Sequence, residues 1–342
     1  MDFLDSDAGS SPPASDEESG AEAGNESGDR DLTRESVDVG ERINLRDFAG
    51  RCVGDNVSWK GSAALRLVAL QSARSAGDRC EWGRFWGNGF RELGASVGVI
   101  AETGLWEEAA VAAAVRGMAC AGYTAIAHGV PPGRGAESGY ELSLANGVLL
   151  AVRDGYPGGW ETVDRDGAGR GLAACITSAE GNALRLVGVY GVSGASLPGF
   201  DRSQQRLDAE RRLLEFVRAQ VELSSLQGWT LVVMGDLNSV VDPALDTWGG
   251  THIARTECLA QTLVQHGLED TFRCRRPELL GFTYYGPAGA ASRLDGIWIW
   301  RPPGLQTLLL NAAVMWGWVR RADHGCWARD WSSGGGGCGW LR

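Results

Sequence analysis

Lysine is almost missing from this chain. Lys60 is the only one, and arginine supplies every other long cationic side chain. Arginine suits bidentate contact with phosphate, although a GC-rich coding bias, which would also account for the many alanines and glycines, explains the same skew. Histidine is scarce too, with four in 342 residues, which narrows the search for an imidazole in a site. The eight cysteines, at 52, 80, 120, 175, 258, 274, 326 and 338, include no CxxC pair. That spacing disfavours a zinc site and suits reduced thiols. No apolar run reaches the roughly 18–20 residues of a membrane span; the longest are Val148–Val152 and Leu308–Val319, the second interrupted by Asn311 and Gly317. No basic start followed by an apolar stretch marks a secretory leader. An intracellular protein, cytoplasmic or nuclear and without a membrane association, is therefore expected.

Charge is present in quantity but unevenly placed. The formal net charge is −11. Residues 1–41 hold thirteen acidic groups against two arginines, so the remainder carries thirty of each sign and sums to zero. An acidic pI is thus a property of one segment and no argument against a nucleic-acid substrate. Residues 1–40 have almost no large apolar side chain and cannot offset their ordering entropy, so a disordered acidic tail is expected there. A solvated tail is the plain reading, and a partner protein for it is the other. Residues 41–62 read as a linker, 63–331 as the folded domain, and 332–342 as a glycine-rich tail.

From Ala63 onward two kinds of segment alternate. Short apolar runs at Leu65–Leu70, Val97–Ile100, Val148–Val152, Leu172–Ile176, Leu184–Tyr190, Leu231–Met234 and Ile297–Trp300 predict buried strands. Helical stretches are predicted at Glu107–Ala121, with glutamates where the helix dipole favours them, at Ser203–Leu226, with Leu207, Leu214, Val217 and Val221 on one face, and at Thr256–His266, stopped by Gly267. Strands that are partly adjacent and partly separated by helices favour a layered α/β sandwich over a doubly wound sheet. No internal repeat is visible.

Four places carry chemistry. The apolar strand Leu231–Met234 runs into Gly235-Asp236-Leu237-Asn238, and alternation puts Asp236 and Asn238 on one side, where an acid and an amide can hold water or a phosphoryl oxygen. In Ser292-Arg293-Leu294-Asp295, charged residues precede a strand. Asp323-His324 is the only histidine with an adjacent acid, and Asp295 would pair with His324 if their strands are neighbours, fixing its tautomer. Glu102 closes another apolar strand and is an oxygen donor of the kind a hard cation takes. An Asp/Asn turn, an edge ion pair and a helix-entry glutamate are the plainer readings of each piece taken singly.

In this order, with Tyr190 in Val189-Tyr190-Gly191 between them, these motifs resemble the endonuclease/exonuclease/phosphatase superfamily over roughly residues 63–325. The resemblance implies a four-layered α/β sandwich, two mixed sheets packed face to face with helices outside, and a magnesium-dependent phosphodiesterase, with manganese as an alternative ion. It implies that Glu102 ligates the metal and Tyr190 hydrogen-bonds the scissile phosphate. Asp236 would orient or deprotonate water and Asn238 would hold the phosphate. Asp295 would orient His324, His324 would act at the phosphorane, and Asp323 would assist the metal or the leaving group. Gly235–Asp246, Leu268–Arg273 with Pro277, Phe282-Thr283-Tyr284 and Ala291–Asp295 are similar to the endonuclease domain of non-long-terminal-repeat retrotransposons. That likeness implies DNA as substrate, Thr283 near the DNA-binding face, and Arg293 with Arg301 as phosphate contacts.

Two departures bear on activity. Gln71 stands where relatives carry a substrate-side asparagine, which keeps the amide but lengthens its stem. After Asp323-His324 the chain runs into Gly334–Gly337, so the final strand is expected to be missing or poorly formed. A catalytically inactive module that binds DNA or protein, and an inositol or other lipid phosphatase of the same fold, are the competing readings. Oligomeric state is not legible.

Overall fold

The computed structural model describes residues 52–54, 65–72, 78–131, 146–155, 160–177, 183–193, 204–249, 258–285, 290–304, 313–315 and 338–341, all within the compact unit Asn44–Arg342. The acidic 1–40 segment and Asp323-His324 lie outside them. Two sheets dominate. A seven-stranded sheet runs in the order Cys52–Gly54, Ala313–Met315, Cys338–Leu341, Leu67–Gln71, Val97–Ala101, Val148–Arg153, Tyr123–His128. A six-stranded sheet runs Glu269–Asp270, Asp295–Trp300, Thr230–Asp236, Ala183–Tyr190, Gly171–Thr177, Glu161–Arg165. Each holds one parallel pair, Leu67–Gln71 with Val97–Ala101 and Ala183–Tyr190 with Thr230–Asp236, among antiparallel neighbours. A parallel pair needs a crossover. Helix Arg79–Glu92 supplies the first and helix Gln204–Gln227 the second.

Strand alternation builds the layers. Leu67, Ala69, Val97, Val99, Val148 and Leu150 meet Leu172, Leu186, Val232, Met234 and Ile297 of the other sheet in one core. The intervening residues Val68, Leu70, Ile100 and Leu149 face Trp82, Trp86, Phe90 and Met118 of the helices outside. On the far side Val187, Val189, Leu231 and Val233 face Leu213, Val217 and Val221 of Gln204–Gln227, with Leu259 and Leu263 of Leu259–Gln265. The order is helices, sheet, sheet, helices: the four-layered α/β sandwich. No helix among the described residues is long and apolar enough to cross a membrane.

Three departures from the sequence-based expectation bear most on how the sheets are built. Helix Arg79–Glu92, rich in Gly and Trp, was not anticipated. It packs against Glu108–Cys120 so closely that a Cβ at Gly83 would lie 2.1 Å from Ala114 O, and one at Gly117 2.0 Å from Cys80 O. Glycine, a poor helix former, is here because the two backbones touch. Second, Cys52–Gly54 lies in the segment read as linker, yet pairs with Ala313–Met315. Third, the glycine-rich end does not leave the sheet bare. Cys338–Leu341 pairs antiparallel with both Leu67–Ala69 and Val314-Met315. Cys338-Gly339-Trp340-Leu341 follows the glycine run with apolar residues of its own, and its backbone groups are satisfied by a strand on either side.

Candidate active site

Parallel pairing brings strand ends together, and the candidate residues sit at those ends. In the first sheet Gln71 is in register with Ala101, one residue before Glu102. In the second, Asp236 is in register with Tyr190 on one side and Asp295 on the other. The two sheets meet here through Gln71, whose Nε2 donates to Asp236 Oδ2 at 2.8 Å and to Glu102 Oε2 at 3.1 Å. Asn238 folds back in the left-handed region, φ 47°. Its backbone N–H donates to Asp236 Oδ1 at 2.9 Å, and its Nδ2 donates to Asp236 Oδ2 at 3.0 Å and Gly191 O at 3.1 Å. Glu102 is also left-handed, φ 59°, a conformation uncommon outside Gly and Asn that collects at functional sites. Its backbone is held from both sides, by Ser72 Oγ donating to Glu102 O at 3.2 Å and by Thr103 N donating to Gly147 O at 3.1 Å.

The electrostatics are those of crowded buried acids. Asp236 is held well above the usual carboxylate range, by burial first, then by Asp295 and Glu102, against the Asn238 backbone N–H and Arg170. Asp295 is pushed up to about 7, mainly by burial, against the nearby Thr283 hydroxyl and with Glu102 adding to the rise, and neither of its carboxyl oxygens has a hydrogen-bond partner of good geometry among the described residues. Burial likewise raises the Tyr190 hydroxyl, which lies 3.3 Å from Ser193 Oγ. Removing carboxylates from water disfavours their charged forms, and like charges nearby compound the effect. Among the described residues no group of three or more His, Cys, Asp or Glu side chains is disposed to hold a metal ion.

Several expected roles are corrected. Arg293 does not reach out to phosphate. It is 6 % exposed, its Nε donates to Asp246 Oδ1 at 2.8 Å and its Nη2 to Asp270 Oδ2 at 2.6 Å. Arg301 is engaged by Glu269. Thr283 is not on a binding face either: it is buried, and its hydroxyl oxygen accepts the backbone N–H groups of Leu294 and Asp295 at 2.9 and 3.0 Å, so it holds the start of the Asp295 strand. Gln71 spends both amide hydrogens on the two acids, and Asn238 spends both of its own on Asp236 and Gly191, leaving neither N–H pair for substrate in this arrangement. His324 and Asp323 lie outside the described residues. The structure also brings in Arg170, Asp246 and Asp270, which were not singled out. Arg170 follows Gly169 in an ordinary-looking turn, and nothing in the sequence separates a buried arginine from a surface one.

No protein-family model and no curated protein matches the sequence. Solved structures do match its shape. The 3′-5′ exonuclease NExo from Neisseria meningitidis aligns with TM-score 0.54 and 20 % identity, over 80 % of this chain and 98 % of that one. An AP endonuclease from Archaeoglobus fulgidus aligns at 0.53 and 14 % identity, over 82 % and 99 %. The APE2 catalytic domain of Xenopus laevis aligns at 0.53 and 15 % identity, over 81 % and 91 %. At such identities the likeness is one of fold: the chain shares the four-layered α/β sandwich of these enzymes.

Proposed function

We propose that this chain hydrolyses DNA phosphodiester bonds as a divalent-metal-dependent endonuclease of the retrotransposon type. The observation that carries the reading is the meeting of Glu102, Gln71, Asp236 and Asn238 across the facing strand ends of two sheets, with Tyr190 and the unbonded Asp295 in register beside Asp236. The shared fold with NExo, a form of which is described as a 3′ phosphatase bound to a product DNA hairpin, supports it. The retrotransposon assignment rests on the sequence motifs alone.

Phosphodiester hydrolysis needs a positioned water and neutralised phosphoryl oxygens. Asp236, fixed by three donors, is the group that orients water or takes its proton. Tyr190 Oη is a donor for a non-bridging oxygen. The unbonded carboxyl of Asp295 is available to an imidazole, the role the motifs assign to His324. The residues also suit magnesium. The acids are oxygen donors whose mutual crowding the buried Arg170 offsets only in part, and magnesium takes only one or two carboxylates and keeps several waters. Glu102, with Asp236 beside it, would hold the ion, which when bound supplies Lewis-acid neutralisation of the phosphate.

Incubation of supercoiled plasmid with purified protein is expected to give nicked circles with Mg2+ or Mn2+ and none with chelator. Folded protein that nicks under no divalent metal would remove the hydrolase reading. The Gln71 amide lying on both acids favours, in that event, the catalytically silent binding module.

A second expectation concerns stability. With Asp295 titrating near 7 in the folded chain and near 3.9 when unfolded, the folded state holds a proton that the unfolded state has released. Stability without metal should therefore fall as pH rises from about 4 through about 7, and the Asp236 carboxyl beside it, held well above the usual range, carries the fall to higher pH. A bound cation offsets the charge that remains, so Mg2+ should raise the melting temperature more at pH 8 than at pH 5. Equal shifts in a calorimetric scan at both pH values would count against a cation among these acids.

A further inference from the structure

Arg170 is 1 % exposed, among the largest fully buried side chains of the protein. A buried guanidinium is costly unless its surroundings hold it, and here they do so specifically. Asp166 caps the turn that carries it, accepting the backbone N–H groups of Arg170 and Gly171 on Oδ1 at 2.7 and 2.8 Å, and that of Ala168 on Oδ2 at 3.2 Å. His128 Nε2 lies 2.8 Å from Asp166 O; a carbonyl only accepts, so that nitrogen carries the proton. From this anchored turn the Arg170 guanidinium lies over the Tyr190 ring, 4.7 Å from its centroid. Its Nη1 donates to Gly191 O at 2.8 Å and to Tyr190 O at 3.2 Å.

Gly191 O is the same oxygen that Asn238 Nδ2 reaches, and Gly191 N donates to Asp236 O at 2.7 Å. A Cβ at Gly191 would lie 2.0 Å from Leu237 O, so the two backbones are in contact with no room for slack. A continuous path of hydrogen bonds thus runs from the Asp166 turn through Arg170 and Gly191 to Asn238 and the Asp236 carboxylate. The charge suits the place as well, since the neighbours are Tyr190, Asp166, Asp236 and Glu102.

We propose that Arg170 is a positioning residue for Asp236 and Asn238, acting through the Gly191 carbonyl; its effect on rate rests on the hydrolase reading above. Loss of the guanidinium frees Gly191 O on one side and lets Asn238 and Asp236 drift, and displacement of about 1 Å in such a group costs about a hundredfold in rate. Lysine keeps the charge but offers no planar fork over the ring.

The test compares Arg170→Met, Arg170→Lys and Asp166→Asn with the unaltered chain by plasmid-nicking kinetics and by hydrogen exchange. Arg170→Met is expected to lower kcat about a hundredfold with KM within about twofold, Arg170→Lys and Asp166→Asn falling between. Exchange protection should drop in peptides spanning 189–193 and 235–240 while the Val148–Arg153 strand stays protected. Unchanged kcat or unchanged local protection in Arg170→Met overturns the proposal, as does a loss spread equally over Val148–Arg153 in a variant that remains folded. If Arg170→Met does not fold, Arg170→Lys decides: wild-type kcat and protection overturn the proposal, and a local loss supports it. If the unaltered chain nicks nothing, the hydrolase reading has failed, and the exchange comparison alone still upholds or overturns the positioning role.

Discussion

Arg293→Ala is expected to lower the stability of the folded chain by about 3–5 kcal/mol, the range for stripping one partner from a buried ion cluster. Arg293 stands between Asp246, 1 % exposed, and Asp270, 8 % exposed. Burial by itself would raise the Asp246 carboxyl, but Arg293, ahead of Arg273, more than offsets it and holds the group below the usual carboxylate range. Removing Arg293 leaves two buried acids with Arg273 alone nearby, which bonds Asp246 and lies over the same Phe272 ring. Asp270 also caps helix Thr271–Arg275 through the N–H groups of Phe272 and Arg273, so its displacement frays that helix. The cluster has a functional side. Arg293 N donates to Asp246 O, and Leu237 N to Leu294 O, tying the start of the Asp295 strand to the Asp236 loop. Urea denaturation checks the prediction, and a loss below about 1 kcal/mol would mean that water reaches this cluster.

Asp236→Ala is expected to cost at least about a thousandfold in nicking, within the range for removing a group that moves a proton in the transition state. Stability should change by less than about 1 kcal/mol, because two opposite effects meet. The variant forfeits the bonds from Gln71 and Asn238, each worth about 1 kcal/mol net. It also relieves a carboxylate that burial and Asp295 already disfavour. Activity and melting temperature should therefore part company, which distinguishes a chemical role from a scaffolding one. A rate equal to that of the unaltered chain would take Asp236 out of the mechanism.

The layered architecture was legible because apolar runs announce themselves. Leu231–Met234 and Leu184–Tyr190 are almost wholly apolar, as strands buried on both faces must be, and Ser203–Leu226 shows its face at helical spacing. Helix Arg79–Glu92 was not legible, since Gly83, Gly87 and Gly89 argue against a helix until the backbone of Glu108–Cys120 is seen to lie against it. Strand Glu161–Arg165 escaped because Val163 is its single apolar residue, and Tyr123–His128 because Thr124 and His128 leave no long unbroken apolar run.

At the site the division is sharper. Asp236 and Asn238 were legible as a unit because they are two residues apart, and local geometry alone makes them neighbours. Gln71 looked like a lengthened substrate ligand, and Arg293 and Thr283 like contacts for DNA. Only the packing of two sheets shows that Gln71 joins Glu102 to Asp236, that Arg293 belongs to a buried ion cluster, and that Thr283 holds the Asp295 strand. By itself, then, the sequence determined which segments are buried and which acids stand at strand ends, because burial and alternation are written in periods of two and 3.6 residues. Which of those polar groups face each other, and which are spent holding the frame, was decided by the tertiary structure, because the partners lie from 12 to 165 residues apart and no local pattern records such a pairing.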